Sequence, residues 1–132
     1  ESSTEYDDNW MTDLPAAIQL AKKENKHVFV DFTGSDWCPP CKALHRNVLT
    51  KQAFLDYAKN NLVLVVLDFP RRRPQPDSLK RANQALSQKY RVEGFPTVML
   101  MDSNGKILHR ESGYSGNSAA AYVANLKTKV SQ

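Results

Sequence analysis

Cysteine is scarce in this chain: 132 residues carry only two. A small scaffold held together by disulfides needs several bridges, so that class is excluded. Glycine and proline number five and seven, too few for a collagen-like or linker-like polymer. Long hydrophobic runs are missing as well. The longest aliphatic run, Leu62 to Leu67, is six residues against the ~18 that a spanning helix requires, and no membrane span is expected. Residues 1–13 hold five acids (Glu1, Glu5, Asp7, Asp8, Asp13) and no lysine or arginine. Residues 70–91 reverse this balance, with seven bases against Asp77. No aromatic residue interleaves with the Arg71-Arg72-Arg73 triplet, so it reads as a solvated basic loop and no nucleic-acid partner is expected.

What is present is ordinary for a globular protein: 41% hydrophobic residues, 24% charged and a net charge of +4. A chain of this length holds a single core. The division expected is an acidic N-terminal lead-in over 1–11, with Trp10 docked on the body, and one domain over 12–132. No surplus amphipathic surface calls for a second copy, and a monomer is expected.

Thr12 or Asp13 can cap a helix with Pro15 in its first turn. Leu14, Ala17, Ile18 and Ala21 share one face of it at helical spacing, and Asn25-Lys26 ends it. Residues 27–33 are β-branched, aromatic and nearly all apolar, the pattern of a strand covered on both faces. A loop at Gly34-Ser35-Asp36 leads to Trp37-Cys38-Pro39-Pro40-Cys41. Cys41, Leu44 and Val48 then take helical spacing to a break and new cap at Thr50, and Ala53, Phe54, Tyr57 and Ala58 continue the stripe to Asn60-Asn61. A second buried strand covers 62–69, followed by a proline-bracketed basic loop over 70–76. Leu79, Ala82, Leu86 and Tyr90 predict a helix over 78–90. Gly94-Phe95-Pro96 introduces a third strand, 97–102. Ser103-Asn104-Gly105 is a hairpin turn, because Asn-Gly accepts the positive φ of tight hairpins, and a fourth strand covers 106–111. Tyr122, Val123, Leu126 and Val130 form the apolar face of a closing helix. Strands joined through helices are expected to pair in parallel, and the hairpin adds an antiparallel edge. The fold class is α/β, a four-stranded mixed sheet covered by helices on both faces.

The residues that carry chemistry are Cys38-Pro39-Pro40-Cys41, just after a strand and at the start of a helix, where C-x-x-C reads as a dithiol redox site. Two intervening residues in a first helical turn let the sulfurs approach bonding distance. Cys38 faces the positive end of the helix, which favours the thiolate that attacks a disulfide sulfur. Cys41, one turn in, is placed to break the resulting mixed disulfide. The two prolines fit a first turn, where their missing N–H groups are not needed. No histidine lies between the cysteines, which points to a moderately reducing site rather than a strongly oxidising one. The electrons travel on the two sulfurs, and no cofactor is expected.

A lone C-x-x-C is also half of a zinc site, and Cys38, Cys41 and His45 have the spacing C-x2-C-x3-H. A structural zinc wants four ligands. His27 begins a strand and His109 sits in the hairpin's second arm, and neither offers an obvious fourth. No metal is assigned, and His45 reads as a residue of the helix surface.

Val30-Asp31-Phe32, Trp37-Cys38-x-x-Cys41-Lys42 and Tyr90-x-Val92-x-Gly94-Phe95-Pro96-Thr97 resemble, in order and context, three signatures of the thioredoxin superfamily. The resemblance covers about residues 14–130. It is nearest to bacterial thioredoxin-like proteins with Phe-Thr-Gly-Ser-Asp-Trp-Cys before the active site, many of them exported. It implies a three-layer α/β/α fold in which Pro96 is the cis-proline beside the disulfide, helping to hold an extended substrate segment. Trp37 corresponds to the tryptophan that shields the active-site helix, and with Pro39 and Phe95 it joins Pro96 in the substrate-binding set. Asp31 resembles the buried aspartate that relays a proton to and from the second cysteine. Burial in an apolar strand should raise its pKa towards neutrality, as a slow proton acceptor requires.

The chain departs from the familiar cytosolic thioredoxins in several places. The Thr33–Trp37 segment is one residue longer. The lysine those proteins place near the aspartate is apolar here, around Leu64, and their helix-kinking proline is replaced near Arg46. Their first strand has no counterpart. The basic 69–89 segment is longer and is expected near the active-site end, where loops on a rigid scaffold select partners. The function expected is that of a thiol–disulfide oxidoreductase on protein disulfides, more as reductant than oxidant, recharged by an unidentified thiol–disulfide electron donor. The alternatives are an oxidase or isomerase, and a module of the same fold that binds a protein segment or a metal without redox turnover. Family likeness and the lack of other cysteines point to a periplasmic or otherwise exported protein, with a cytoplasmic one as the alternative.

Overall fold

The computed structural model describes residues 6–131. Along them run β1 (Trp10–Met11), α1 (Leu14–Glu24), β2 (His27–Thr33), α2 (Pro39–Leu44), a π-helical turn (His45–Leu49), α3 (Gln52–Asn61) and β3 (Leu62–Asp68). These are followed by α4 (Asp77–Lys89), β4 (Thr97–Met101), β5 (Ile107–Ser112) and α5 (Ala119–Val130). Local chemistry sets several of the boundaries. The Asp13 carboxylate accepts the Ala16 N–H at 3.1 Å and opens α1. Asn25 closes it in the left-handed region, at φ 58°. At the hairpin, Gly105 supplies φ +85°, while the Asp102 side chain accepts the N–H groups of Asn104 and Lys106.

The strands form one mixed sheet in the order β1-β3-β2-β4-β5. Leu14, Ala17 and Ala21 of α1 pack with Val28, Val30 and Phe32 on one face, and Leu86 and Tyr90 lie against the same cluster. Leu44, Val48, Phe54, Tyr122 and Leu126, from α2, the π turn, α3 and α5, pack on Phe29 and Leu64 of the other face. Every residue of β3 is buried, because β1 and β2 flank it and both of its faces are covered. No helix among the described residues is long and apolar enough to cross a membrane.

The sheet has five strands rather than four. The extra one is β1, whose Trp10 and Met11 pair in parallel with Leu64 and Val65, so the first strand that seemed to have no counterpart is present in a short form. Two residues are too few for an alternating pattern to announce. The lead-in expected over 1–11 is therefore part of the body from Tyr6 onward, with Tyr6 and Trp10 both in the core. Residues 1–5 lie outside the described residues.

The second correction concerns direction. β2 and β3 are parallel, but β4 runs antiparallel to β2 although a helix joins it to β3. The chain leaves β3 and enters β4 at the same end of the sheet, where the Phe69 and Phe95 rings lie 5.0 Å apart. A connection that returns to its starting end must reverse the next strand. In α4 the buried position is Asn83 rather than Ala82, which is exposed. Asn83 Nδ2 donates to the Asp68 carbonyl at 3.1 Å, a polar anchor that an apolar stripe could not reveal.

Candidate active site

Cys38 is the N-cap of α2 and Cys41 sits in its first turn. Their Cα atoms are 5.2 Å apart and their sulfurs are joined in a disulfide. Pro39 and Pro40, both exposed, remove two of the amide donors that a helix start normally presents, so Cys41 carries the first free N–H of this turn. The Cys38 N–H is bonded to the Gly34 carbonyl at 3.0 Å. The Gly34 N–H donates to Cys41 Sγ at 3.5 Å, so one loop residue grips both cysteines. Cys38 and Cys41 are 3% and 2% exposed, recessed behind a rim.

Aromatic side chains and the proline loop build that rim. Cys38 Sγ lies 3.7 Å from the Phe95 carbonyl oxygen, and the Phe95–Pro96 peptide bond is cis. The Trp37 and Phe95 rings meet edge-on at 5.8 Å. Trp37 Nε1 donates to the Phe69 carbonyl at 2.7 Å, fixing the indole across the end of β3. The Arg71 guanidinium stacks on that indole, 3.6 Å from the ring centre. Trp37, Cys38, Phe95 and Pro96 thus come together at one end of the sheet, with Pro39 beside them.

The basic loop is held rather than loose. Asp36 accepts the backbone N–H groups of Arg71, Arg72 and Arg73 at 3.0, 2.8 and 3.1 Å. Slight burial opposes its ionisation, but these three bonds and the Arg73 charge prevail and hold its carboxyl below the usual range. Asp68, at the end of β3, accepts the Ser35 N–H and hydroxyl at 3.0 and 2.6 Å and pairs with Arg73. Residue spacing gave no sign of this cluster. An acid ending an all-apolar strand, followed by an arginine loop, is the one signal that could have exposed it.

Asp31 sits deeper, on the sheet face against which α2 packs, between Val66 and Val98 of the neighbouring strands. Burial pushes its carboxyl up to about 7; a hydrogen bond from Tyr6 pulls it down, and the Asp68 charge raises it. Tyr6 Oη donates to Asp31 Oδ2 at 2.6 Å. Tyr6 was not among the candidates, since a lone tyrosine in an acidic lead-in carries no motif. His45, expected on the surface, is buried, with its ring 4.6 Å from that of Tyr6. His45 stands four residues after Cys41 in unbroken helical register, its N–H bonded to the Cys41 carbonyl, which puts it on the buried stripe of Cys41 and Leu44. The π turn begins only there, with the Thr50 N–H bonded to the His45 carbonyl five residues back, and it widens the helix after His45. His45 thus packs against Tyr6, while Cys38 and Cys41 are joined to each other.

A family model described as a thioredoxin-like domain matches residues 14–128. The chain belongs to the thioredoxin-like family, and it carries the paired cysteines of a thiol–disulfide oxidoreductase. It is similar to the disulfide bond reductase DsbH of Chlamydia pneumoniae, with 36% identity over 114 residues that cover 86% of this chain and 68% of that protein. It also matches the thioredoxin-related protein DsbJ of the same organism, at 25% identity over 84% of this chain and 32% of that one. A solved structure of a DsbH oxidoreductase superposes with a TM-score of 0.84 at 30% identity, covering 99% of this chain and 94% of its own.

Proposed function

We propose that the protein reduces disulfides in other proteins, with Cys38 as nucleophile and Cys41 as resolving thiol. The observation that carries this reading is the Cys38–Cys41 disulfide set beside the Phe95 carbonyl and the cis Phe95–Pro96 bond. In the reduced protein the Cys38 thiolate attacks one sulfur of a substrate disulfide and displaces the other as a thiolate, which takes a proton. Cys41 then loses its proton to Asp31 and attacks Cys38 Sγ, releasing the second substrate thiolate. Two electrons pass to the substrate, and the Cys38–Cys41 bond remains until an external dithiol donor reduces it. The resemblance to DsbH, which is named a disulfide bond reductase, favours this direction over oxidation or isomerisation.

An extended substrate segment lies along Phe95 and Pro96, with Trp37 and the exposed Pro39 as the other walls of the rim. Arg71 and Arg72, held by Asp36, select among partners by charge. The protein works as a monomer in the periplasm or another exported location, where its two cysteines have no third thiol to mispair with. The deciding experiment is the reduction potential of the Cys38–Cys41 pair, measured by equilibration with a dithiol buffer and tryptophan fluorescence. A value near the roughly −270 mV of strong reductants supports the reading, and one near the roughly −120 mV of strong oxidants reverses the direction.

A further inference from the structure

Among the described residues, the side chain hydrogen-bonded to Asp31 comes from the N-terminal segment. Tyr6 is clamped by rings, 4.9 Å from Trp10 and 4.6 Å from His45, and its hydroxyl reaches Asp31 Oδ2 at 2.6 Å. The other carboxyl oxygen, Asp31 Oδ1, is buried with no hydrogen-bond partner among the described residues. Across the sheet on both sides stand valines, Val66 and Val98. A hydrogen bond donated to a carboxylate in so apolar a place stabilises its charged form.

Tyr6 also lines a cleft of about 270 Å3 together with Asp68, Arg73 and Asn83. Asn83 is 2% exposed, and its Oδ1 has no partner among the described residues. A buried amide oxygen without a protein partner is the kind of atom to which an ordered water bonds. Tyr6, whose hydroxyl touches Asp31, lines the same cleft as Asn83.

We propose that Tyr6 is a positioning residue for the resolving step: its hydroxyl holds Asp31 in place and favours the carboxylate, and the cleft that Tyr6 lines is the route by which Asp31 exchanges its proton with solvent. This rests on the reading of Asp31 as the proton acceptor of Cys41. In that step one proton moves from Cys41 Sγ to Asp31, and the sulfur's electron pair forms the bond to Cys38 Sγ. The substrate thiolate leaves, and Asp31 then returns its proton to water. Tyr6 keeps its own proton throughout, because burial and the neighbouring Asp31 charge hold its hydroxyl far above the ordinary tyrosine range.

The ionisable groups around Asp31 act in known directions. Asp68, from the end of β3, opposes its ionisation, although Arg73 pairs with Asp68. Tyr122, from α5, feels the Asp31 charge and is raised, mainly by its own burial. His45, from the π turn, meets Tyr6, and Cys41 comes from α2.

The test is the titration of Asp31, followed by its carboxyl 13C shift in the oxidised protein, for the wild type, Tyr6→Phe and Tyr6→Leu. Tyr6→Phe keeps the ring and removes only the hydroxyl. The expected result is a midpoint raised by roughly one pH unit, the tenfold change in ionisation ratio that one hydrogen bond to a charged group supplies. The acid limb of the substrate-release rate should move by the same amount. A midpoint unmoved in Tyr6→Phe overturns the role of Tyr6, and a shift seen in Tyr6→Leu alone assigns the effect to packing and overturns it too. Asp31→Asn with an unchanged pH–rate profile instead overturns Asp31 as the base, and with it the catalytic use of Tyr6, whatever the titration shows.

Discussion

On one side of β2 stand Val28, Val30 and Phe32, and on the other Phe29, Asp31 and Thr33, as the alternation of a strand demands. The first set meets Leu14, Ala17 and Ala21 of α1 in an all-apolar cluster. The second set begins the same way, with Phe29 against Phe54 and Tyr122. Towards the Thr33 end it turns polar, with Asp31, Thr33 and His45 all buried and the disulfide-bearing helix packed on that face. Removing a carboxyl from water and raising its pKa from 3.8 to about 7 costs about 4 kcal/mol of stability at neutral pH and above. Fully burying one large apolar side chain returns roughly 2–3 kcal/mol. The inert face and the apolar half of the active face therefore stabilise a fold that can carry a reluctant acid.

The sharpest way to separate the faces is a pair of substitutions with opposite signatures. Cys38→Ser should bring disulfide exchange down to the uncatalysed background, since serine forms no disulfide, while the fold persists on near-native circular dichroism. Phe32→Ala on the inert face should destabilise by about 3–5 kcal/mol through its cavity and leave the exchange rate per folded molecule unchanged. Denaturant melts and single-turnover kinetics read both. If Phe32→Ala also slowed exchange severalfold, the two faces would not be independent.

Asp31→Asn tests the active face on its own terms. Folded Asp31 ionises at about 7 and unfolded Asp31 near 3.8. The stability contributed by its neutral form is therefore complete below about pH 4 and lost as the pH climbs to about 7. Asparagine keeps the neutral shape at every pH. The variant should match the wild type near pH 4, gain through that window and level off about 4 kcal/mol more stable above it. A stability difference that stays flat from pH 4 to 8 would mean that burial does not raise the Asp31 pKa, the carboxyl ionising alike in the folded and unfolded chains.

The same contrast explains what could be read from the residues alone. Most of the apolar face was legible, because Leu14, Ala17 and Ala21 on α1 repeat at helical spacing and β2 reads as a nearly unbroken apolar strand. The α4 stripe was not, since Ala82 is exposed. The Cys38–Cys41 pair was legible because its chemistry demands a fixed local spacing. Tyr6 and Asn83 were not, since each acts through long-range hydrogen bonding that leaves no periodic trace. His45 was misplaced because a polar side chain was assigned to the surface although its position, four residues after Cys41, lies on the buried stripe. The antiparallel direction of β4 depended on where α4 returns the chain, which no single segment encodes.

Gly34 lies where the two cysteines and the indole converge. A β-carbon there would fall 2.6 Å from Trp37 Nε1, the atom that donates to the Phe69 carbonyl. Gly34→Ala should cost about 1–3 kcal/mol by overpacking and shift the tryptophan emission to the red as the indole swings out. An unshifted spectrum would show that the loop, rather than the ring, gives way.

Arg71→Ala should have the smallest effect on the fold and an informative one on choice of substrate. Its guanidinium lies 3.6 Å from the centre of the Trp37 ring, an exposed contact worth about 0.5–1 kcal/mol, so the melting temperature should barely move. Arg72 shares the Asp36 anchor, so Arg72→Ala leaves the indole contact in place and removes a second rim charge. If the arginine rim selects acidic partners, each variant should raise KM severalfold for a disulfide peptide flanked by aspartate. A serine-flanked peptide should be unaffected, and the difference should shrink as salt screens the charges. Equal losses on both peptides with Arg71→Ala, and none with Arg72→Ala, would assign Arg71 to bracing the indole and leave the rim without a say in specificity.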